Sequence, residues 1–335
     1  MKLKIAFAGF AHVHAPGHAE YLRSRNDVEV IGIFDENRDR GLYYANKYGF
    51  EYIESLEKLV GKRPDLVVID SETVRHLEYV KILAENNIHI FCEKPIGVDI
   101  RMAREIKNIV EKHRILFTTG FGLRFNPDIQ KLKEIIQNNE IGEIYTVRVR
   151  IAHSGAIDKW FKDWSLWFTI KELAGGGGLL DLGIHAADLL RYILNDEAAE
   201  VQGINLNLTK IYNIDDFGTA IITFSKQTIA VLESGWVQVA ENPSISPEIH
   251  VYGSRGTALK TFMGTIYYSR DKNAWIKPNP PQIAIKHPLE DIIEAIKTGR
   301  KPTVTVDDAV KAQEIIEAVY ISSRERRSIK LPPLP

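Results

Sequence analysis

Lys2-Leu3-Lys4-Ile5-Ala6-Phe7-Ala8-Gly9-Phe10-Ala11-His12-Val13-His14-Ala15-Pro16-Gly17-His18, followed by Val28-Glu29-Val30-Ile31-Gly32-Ile33-Phe34-Asp35, decides the fold. Residues 2–9 are a short apolar run closed by glycine, the pattern of a buried parallel strand. A helix is predicted beyond the turn, through Tyr21, Leu22 and Arg23. Residues 28–35 form a second strand that ends on a carboxylate. The alternation then continues. Helices are expected over 38–48, from Ser55, over 77–86 and over 100–113, and strands near Tyr52, over 65–70, 88–92 and 116–120. Such alternation predicts βαβ units and a parallel sheet.

After Arg124-Phe125-Asn126-Pro127 the pattern changes. A helix over 128–137 precedes strands at 145–151, 201–208, 218–224, 228–236, 248–252 and 258–262, which predict an antiparallel sheet. Between them, Gly175 to Gly178 open a helix over 179–194 that is apolar almost all round. Its exceptions, Asp181, His185 and Asp188, fall at i, i+4 and i+7 on one face. Burying such groups is costly unless they are paired or employed. Gly183 costs that helix roughly 1 kcal/mol relative to Ala and implies close approach by another group. Helices over 288–298 and 306–324 close the chain. The domain boundary is placed near residue 123, giving domains of 1–123 and 124–335.

Composition sets the outer bounds. The 335 residues, 44% apolar and 26% charged, suit two ordinary cores. A net charge of −1 gives no reason for nucleic-acid or membrane-surface binding. Cys92, the single cysteine, excludes an internal disulfide and fits a reducing compartment. The N-terminal stretch lacks a signal-peptide pattern, and no stretch reaches the roughly 18 apolar residues of a membrane span. A cytoplasmic protein is expected.

A strand, a glycine turn, a helix and an acid ending the second strand form a dinucleotide-binding arrangement. Pyrophosphate would rest on backbone N–H groups of Gly9, Phe10, Ala11, His12, Val13 and His14 at the first helix's N-terminus. Asp35 would accept from the adenosine ribose hydroxyls and repel a 2′-phosphate, which favours NAD over NADP. Arg38 and Arg40 lie close by and weaken that preference. The glycine fingerprint is incomplete, with Ala11 at its second position and His14 at its third. His12, His14 and His18 admit three readings. They are, in order of preference, partly exposed loop and helix residues, donors to phosphate, or a metal site without cysteine. Glu93-Lys94-Pro95 follows the fifth strand, at the carboxyl end where ligands of open α/β sheets sit. The bland reading there is a surface lysine partnered by Glu93.

With Glu93-Lys94-Pro95 and Gly-Gly-Gly-x-x-x-Asp181-x-Gly183-x-His185-x-x-Asp188 both present, the chain resembles the Gfo/Idh/MocA oxidoreductases along its whole length. Asp65-Leu66-Val67-Val68-Ile69 with His76 downstream, Arg124-Phe125-Asn126-Pro127 and Glu140-Ile141-Gly142-Glu143 add to the likeness. The resemblance implies an N-terminal Rossmann domain. It also implies a C-terminal domain with a large, mostly antiparallel open sheet, through which such proteins commonly form dimers or tetramers. The implied reaction moves a hydride between nicotinamide and a hydroxyl or carbonyl carbon of a sugar, inositol or related polyol. Lys94, Asp181 and His185 match the catalytic positions. Ser71, His76, Glu93 and Lys94 join the cofactor-binding set, and Arg124 joins Lys94, Asp181 and His185 at the substrate.

On that reading His185 takes the hydroxyl proton and Asp181 orients or tunes it. Lys94 holds the reacting oxygen or relays the proton, and burial would make it a competing base. Asp188 either supports the helix face or contacts substrate. His153, Trp160, Trp164, Trp167 and Trp236 are further candidates for sugar contact, although the spacing of Trp160, Trp164 and Trp167 equally suits a core. The bland alternative for Asp181 and His185 is a purely structural polar pair. Two rival functions are an NAD-dependent glycoside hydrolase on the same fold and a non-catalytic nucleotide- or sugar-binding protein.

Overall fold

The computed structural model describes residues 2–239 and 247–332. The chain divides into two compact units. One comprises residues 1–120, 161–175 and 287–310, and the other residues 121–160, 176–286 and 311–335.

The first unit is built on six parallel strands, β1 (Leu3–Ala8), β2 (Val28–Phe34), β3 (Tyr52–Ile53), β4 (Leu66–Ile69), β5 (His89–Cys92) and β6 (Phe117–Thr119). Their order is β3-β2-β1-β4-β5-β6. The order reverses between β1 and β4, the switch point where such sheets open a crevice for ligands. The connecting helices are α1 (Ala15–Arg23), α2 (Arg38–Tyr48), α3 (Leu56–Gly61), α4 (His76–Glu85) and α5 (Ile100–His113). Side chains cap three of them. Asn37 accepts from the Arg40 N–H at 3.0 Å, Ser55 from Lys58 at 3.2 Å and Asp99 from Met102 at 2.8 Å. Helix α1 differs, with no side-chain cap and no acidic residue in its first turn.

From residue 121 the chain runs α6 (Pro127–Gln137), β7 (Ile144–Ala152), a 3-10 segment (Asp163–Thr169), α7 (Lys171–Ala174) and α8 (Gly178–Leu194). Then come β8 (Ala198–Leu206), β9 (Phe217–Phe224), β10 (Ile229–Gly235), β11 (Glu248–Gly253), β12 (Gly256–Thr261), β13 (Gly264–Ser269) and β14 (Ala274–Ile276). Helices α9 (Pro288–Thr298) and α10 (Val306–Glu325) and the short β15 (Ile329–Lys330) finish the chain. Helix α9 lends Leu289, Ile292 and Ile293 to the core of the first unit, beside Ile5, Phe7, Phe10, Val68 and Phe91.

The second unit holds a nine-stranded sheet in the order β14-β13-β12-β11-β7-β10-β9-β8-β15. Its pairings are antiparallel except at the centre, where β7 and β10 run parallel. Alternation sets one face inward: Val147, Val149, Ile151, Ala220, Ile222, Phe224, Ala230 and Leu232 are buried. Helix α8 lies against β7, β9 and β10 and is buried nearly all round. The other face exposes Ile204, Leu206, Ile221 and Ile229. Strands β13, β14 and β15 were not expected from sequence; β14 and β15 have three and two residues, and the inward side of β13, Thr265, Tyr267 and Ser269, is not marked by apolar alternation. Among the described residues no helix is long and apolar enough to cross a membrane.

Candidate active site

The turn after β1 is shaped by Gly9. Its φ is 88°, and a Cβ there would stand 2.6 Å from the Ser71 Cα, so no other residue fits without strain. Phe10 turns its ring into the core against Phe7 and Tyr44, with ring centroids 4.9 and 4.7 Å away. The Ala11 carbonyl accepts from the Trp167 indole N–H at 3.1 Å. Trp167 is thereby a buried support of the turn, while Trp160 is exposed and stacks on His153 at 4.6 Å. Beyond the turn, α1 presents an N-terminus with neither cap nor acid. The N–H groups of Gly9, Phe10, His12 and His14, counted on for phosphate, and that of Ala15 already donate, respectively, to the Phe34 carbonyl, Asp35, the Asp70 carbonyl, His12 Nδ1 and the His12 carbonyl. The helix dipole still suits an anion there. The pyrophosphate end of a dinucleotide therefore fits this chain.

The ribose end is less open. The Asp35 side chain is fully buried, and its oxygens accept from Arg40 Nε and another guanidinium nitrogen at 2.8 and 2.9 Å. The Phe10 and Asn37 N–H groups also donate to it, each at 2.8 Å. Burial raises its pKa despite the Arg40 cation. Arg40 also reaches Glu72 at 3.0 Å. The expected ribose contact requires Asp35 to give up part of this set. Pairing with Arg40 also removes much of the charge that would repel a 2′-phosphate.

The histidines depart from the first expectation. His12 and His18 are 2% and 5% exposed rather than partly exposed, and only His14 is half open. All three gather on Glu93, a carboxylate 1% exposed. His14 Nδ1 lies 3.1 Å from Oε1, His18 Nε2 3.5 Å from the same oxygen, and His12 Nε2 3.8 Å from Oε2. His18 Nδ1 meets Asp70 at 3.0 Å. Burial opposes charge on His18, but Asp70 and Glu93 outweigh it and raise its pKa. Burial likewise opposes charge on Glu93, yet the His12, His14 and His18 imidazoles hold its carboxyl well below the usual range. Glu93 is thus a hub for histidines rather than a surface partner of Lys94. Sequence reading passed over Asp70; the available signal was an acid closing β4 as Asp35 follows β2.

Lys94 is buried at 3% exposure, its N–H donates to Glu93 Oε2 at 2.9 Å, and the Lys94–Pro95 peptide is cis. His76 sits within hydrogen-bond range of the Ile96 carbonyl at 3.3 Å, and burial pushes its pKa down to about 4. His76 is neutral in the native state, whereas an unfolded chain protonates it near its ordinary value of 6.5. Its contribution is fully present above that value and is lost as pH falls through about 4, by roughly 3 kcal/mol. Urea unfolding at neutral and acid pH should show a shallower pH slope for His76→Gln than for the wild type. Equal slopes would refute this.

In the second unit, α8 begins where four glycines meet crowded neighbours. A Cβ on Gly177 would stand 1.8 Å from the Asp215 carbonyl oxygen, and one on Gly176 2.3 Å from the Tyr320 hydroxyl. The Asp215 carboxylate accepts from the N–H groups of Gly177 and Leu179 at 3.0 and 3.2 Å and from Tyr320 at 3.1 Å. This remote cap had no local sequence signal. Gly183 lies under Ile316, whose Cδ1 would be 3.1 Å from an added Cβ, the close approach its position implied. Asp181, 8% exposed, accepts from the Trp236 indole N–H at 2.9 Å. His185 lies 6.0 Å from the Phe121 ring. Asp188 accepts from Arg124 through two guanidinium nitrogens at 2.9 and 2.5 Å. That pair supports the reading of Asp188 as a prop for α8. Arg124, 6% exposed, spends Nε and one terminal nitrogen on Asp188 and lies over the Tyr192 ring at 5.0 Å.

Comparison with known proteins agrees with both units. Residues 3–121 match the profile of the "Oxidoreductase family, NAD-binding Rossmann fold", and residues 129–259 match the "GFO/IDH/MocA C-terminal domain". The chain belongs to the Gfo/Idh/MocA family and carries its NAD-binding Rossmann domain. It is 32% identical to D-glucoside 3-dehydrogenase of Escherichia coli over 200 residues, 59% of this chain and 56% of that protein. Against myo-inositol 2-dehydrogenase of Thermotoga maritima it is 26% identical over 340 residues, 94% of each chain. The crystal structure of GenD2 from gentamicin A biosynthesis, in complex with NAD, superposes with a TM-score of 0.83. That likeness covers 98% of this chain and 96% of that one at 24% identity, and shows the shared fold.

Proposed function

We propose that this oxidoreductase transfers a hydride between a nicotinamide dinucleotide and a hydroxyl or carbonyl carbon of a sugar, inositol or related polyol. The observation that carries the reading is α8, an apolar helix that keeps Asp181 and His185 where apolar residues would bury at lower cost. A bound nicotinamide supplies the hydride acceptor. His185 takes the hydroxyl proton, the role for which an imidazole is suited near neutral pH. Asp181, fixed by Trp236, orients or tunes that imidazole. Lys94 holds the reacting oxygen and favours its deprotonated form. The turn from Gly9 to His14, with Ser71, His76 and Glu93, holds the dinucleotide. NAD is the preferred cofactor, a preference that requires Asp35 to turn from Arg40 toward the ribose hydroxyls. The names of the glucoside and inositol dehydrogenase relatives support the substrate class.

A panel of sugars, glucosides, inositols and sugar phosphates, run with NAD and with NADP, tests this by absorbance of the reduced cofactor. Turnover of at least one polyol, faster with NAD, is expected. No turnover across the panel, with tight ligand binding, would favour a non-catalytic role.

The single, unbridged Cys92 supports a reducing compartment such as the cytoplasm. The exposed face of the nine-stranded sheet supports a second element of the proposal, a homodimer or homotetramer. Ile204 and Ile221 are each 55% exposed there and Ile229 is 46% exposed. Light scattering should report an oligomer for the wild type and a monomer for Ile204→Arg/Ile221→Arg. A double variant that keeps the wild-type mass would exclude this face.

A further inference from the structure

We propose that His12, His14 and Glu93 hold a divalent transition-metal ion of the zinc class, with His18 and Asp70 as the outer pair that fixes Glu93. The candidate ligand atoms of His12, His14 and Glu93 all lie within 4.8 Å of one another. His14 Nδ1 lies 3.1 Å from Glu93 Oε1 and His12 Nε2 3.8 Å from Oε2, so an ion held by both rings would take the carboxylate through both oxygens or draw one of them in. With bonds of about 2.0–2.2 Å, the ligand–ligand edge of a tetrahedral site is roughly 3.3–3.6 Å, within the range of these two separations. An independent feature lies behind them. His18 bridges Asp70 and Glu93 through its two ring nitrogens, at 3.0 and 3.5 Å. Ligating carboxylates are commonly held by such hydrogen-bonded partners.

Charge points the same way. Asp70 and Glu93 are 0% and 1% exposed and belong to one cluster with His18. Two buried carboxylates call for positive charge; His18 lies between them, and a divalent ion on Glu93 would add to it. The donors are imidazole and carboxylate, a set that suits Zn²⁺, Fe²⁺ or Co²⁺ better than Mg²⁺ or Ca²⁺. The spacing His12-x-His14-x-x-x-His18 also occupies the turn where the glycine fingerprint departs from its pattern. His14, half exposed, gives an ion access from solvent. Three ligands leave a coordination position for water or a phosphate oxygen. Binding through His12 Nε2 moves that ring's proton to Nδ1 and costs the 3.2 Å bond it accepts from the His14 N–H.

This site does not depend on the dehydrogenase reading and is tested without turnover. The full-length protein, stripped with a chelator, is titrated with Zn²⁺ by calorimetry and with Co²⁺ by visible absorption, in the absence of nucleotide. One ion per chain and ligand-field bands from Co²⁺ are expected. His14→Ala, a change at a half-open side chain, should weaken Zn²⁺ binding by about 100-fold or more while circular dichroism stays native. Asp70→Asn, an outer change, should weaken it by about 10- to 100-fold. Absence of stoichiometric binding overturns the proposal. So does binding that is equally tight in natively folded His14→Ala and Asp70→Asn, which would locate the ion elsewhere.

Discussion

His185→Ala and Lys94→Ala should each lower turnover by about 10²- to 10⁴-fold, the share that a positioned acid–base group contributes, while NAD affinity stays close to wild type. Removing His185 leaves water as the proton acceptor, and added imidazole should restore part of the rate. A purely structural histidine would not be rescued in this way. For Lys94 the loss should fall mainly on kcat, because stabilising a developing alkoxide matters most in the transition state. Near-normal turnover in both variants would remove these residues from the mechanism and return Asp181 and His185 to a structural role.

Gly177→Ala should destabilise the protein by about 3 kcal/mol or more. The added methyl would stand 1.8 Å from the Asp215 carbonyl oxygen. That oxygen cannot retreat cheaply, because it also accepts from the Gly178 N–H at 2.8 Å. The Asp215 carboxylate is held as well, by Gly177, Leu179 and Tyr320. Any shift of α8 therefore breaks several buried bonds at once. Gly61 is the control, since nothing lies within 4 Å of its Cβ position. Gly61→Ala should be neutral or stabilising by up to about 1 kcal/mol. Denaturant unfolding that ranks the two variants equally would show that the glycine run is not required by close approach.

Much of the architecture was legible because its causes are local. Helices over 38–48, 100–113 and 288–298 begin and end where read, because caps, proline and amphipathic spacing act within one or two turns. The apolar runs at 3–8 and 66–69 carry the parallel sheet in the same way. Contacts between distant segments were hidden. Arg40 stands five residues from Asp35 in sequence, but its two-nitrogen hold on that carboxylate, shared with the Phe10 and Asn37 N–H groups, came only with the fold. The burial of His18 in α1 goes with Asp70, at 3.0 Å but just past β4, 52 residues on. The central parallel pairing of β7 with β10 joins segments separated by α8 and two strands. Residues 161–175 and 287–310, which rejoin the first unit, likewise lack a local signal. Within α8 the polar stripe was readable from spacing, but the partners Trp236 and Arg124 came only with the fold.

Hydride transfer itself is the most direct test. A panel of carbon-deuterated inositol, glucose and glucosides is incubated with wild-type protein and NAD, and the cofactor is analysed by mass spectrometry. Net accumulation of reduced nicotinamide carrying one deuterium per oxidised substrate is predicted, with the signal strongly reduced in His185→Ala. Substrate cleavage without net reduced cofactor, or reduced cofactor without the label, would contradict the dehydrogenase account.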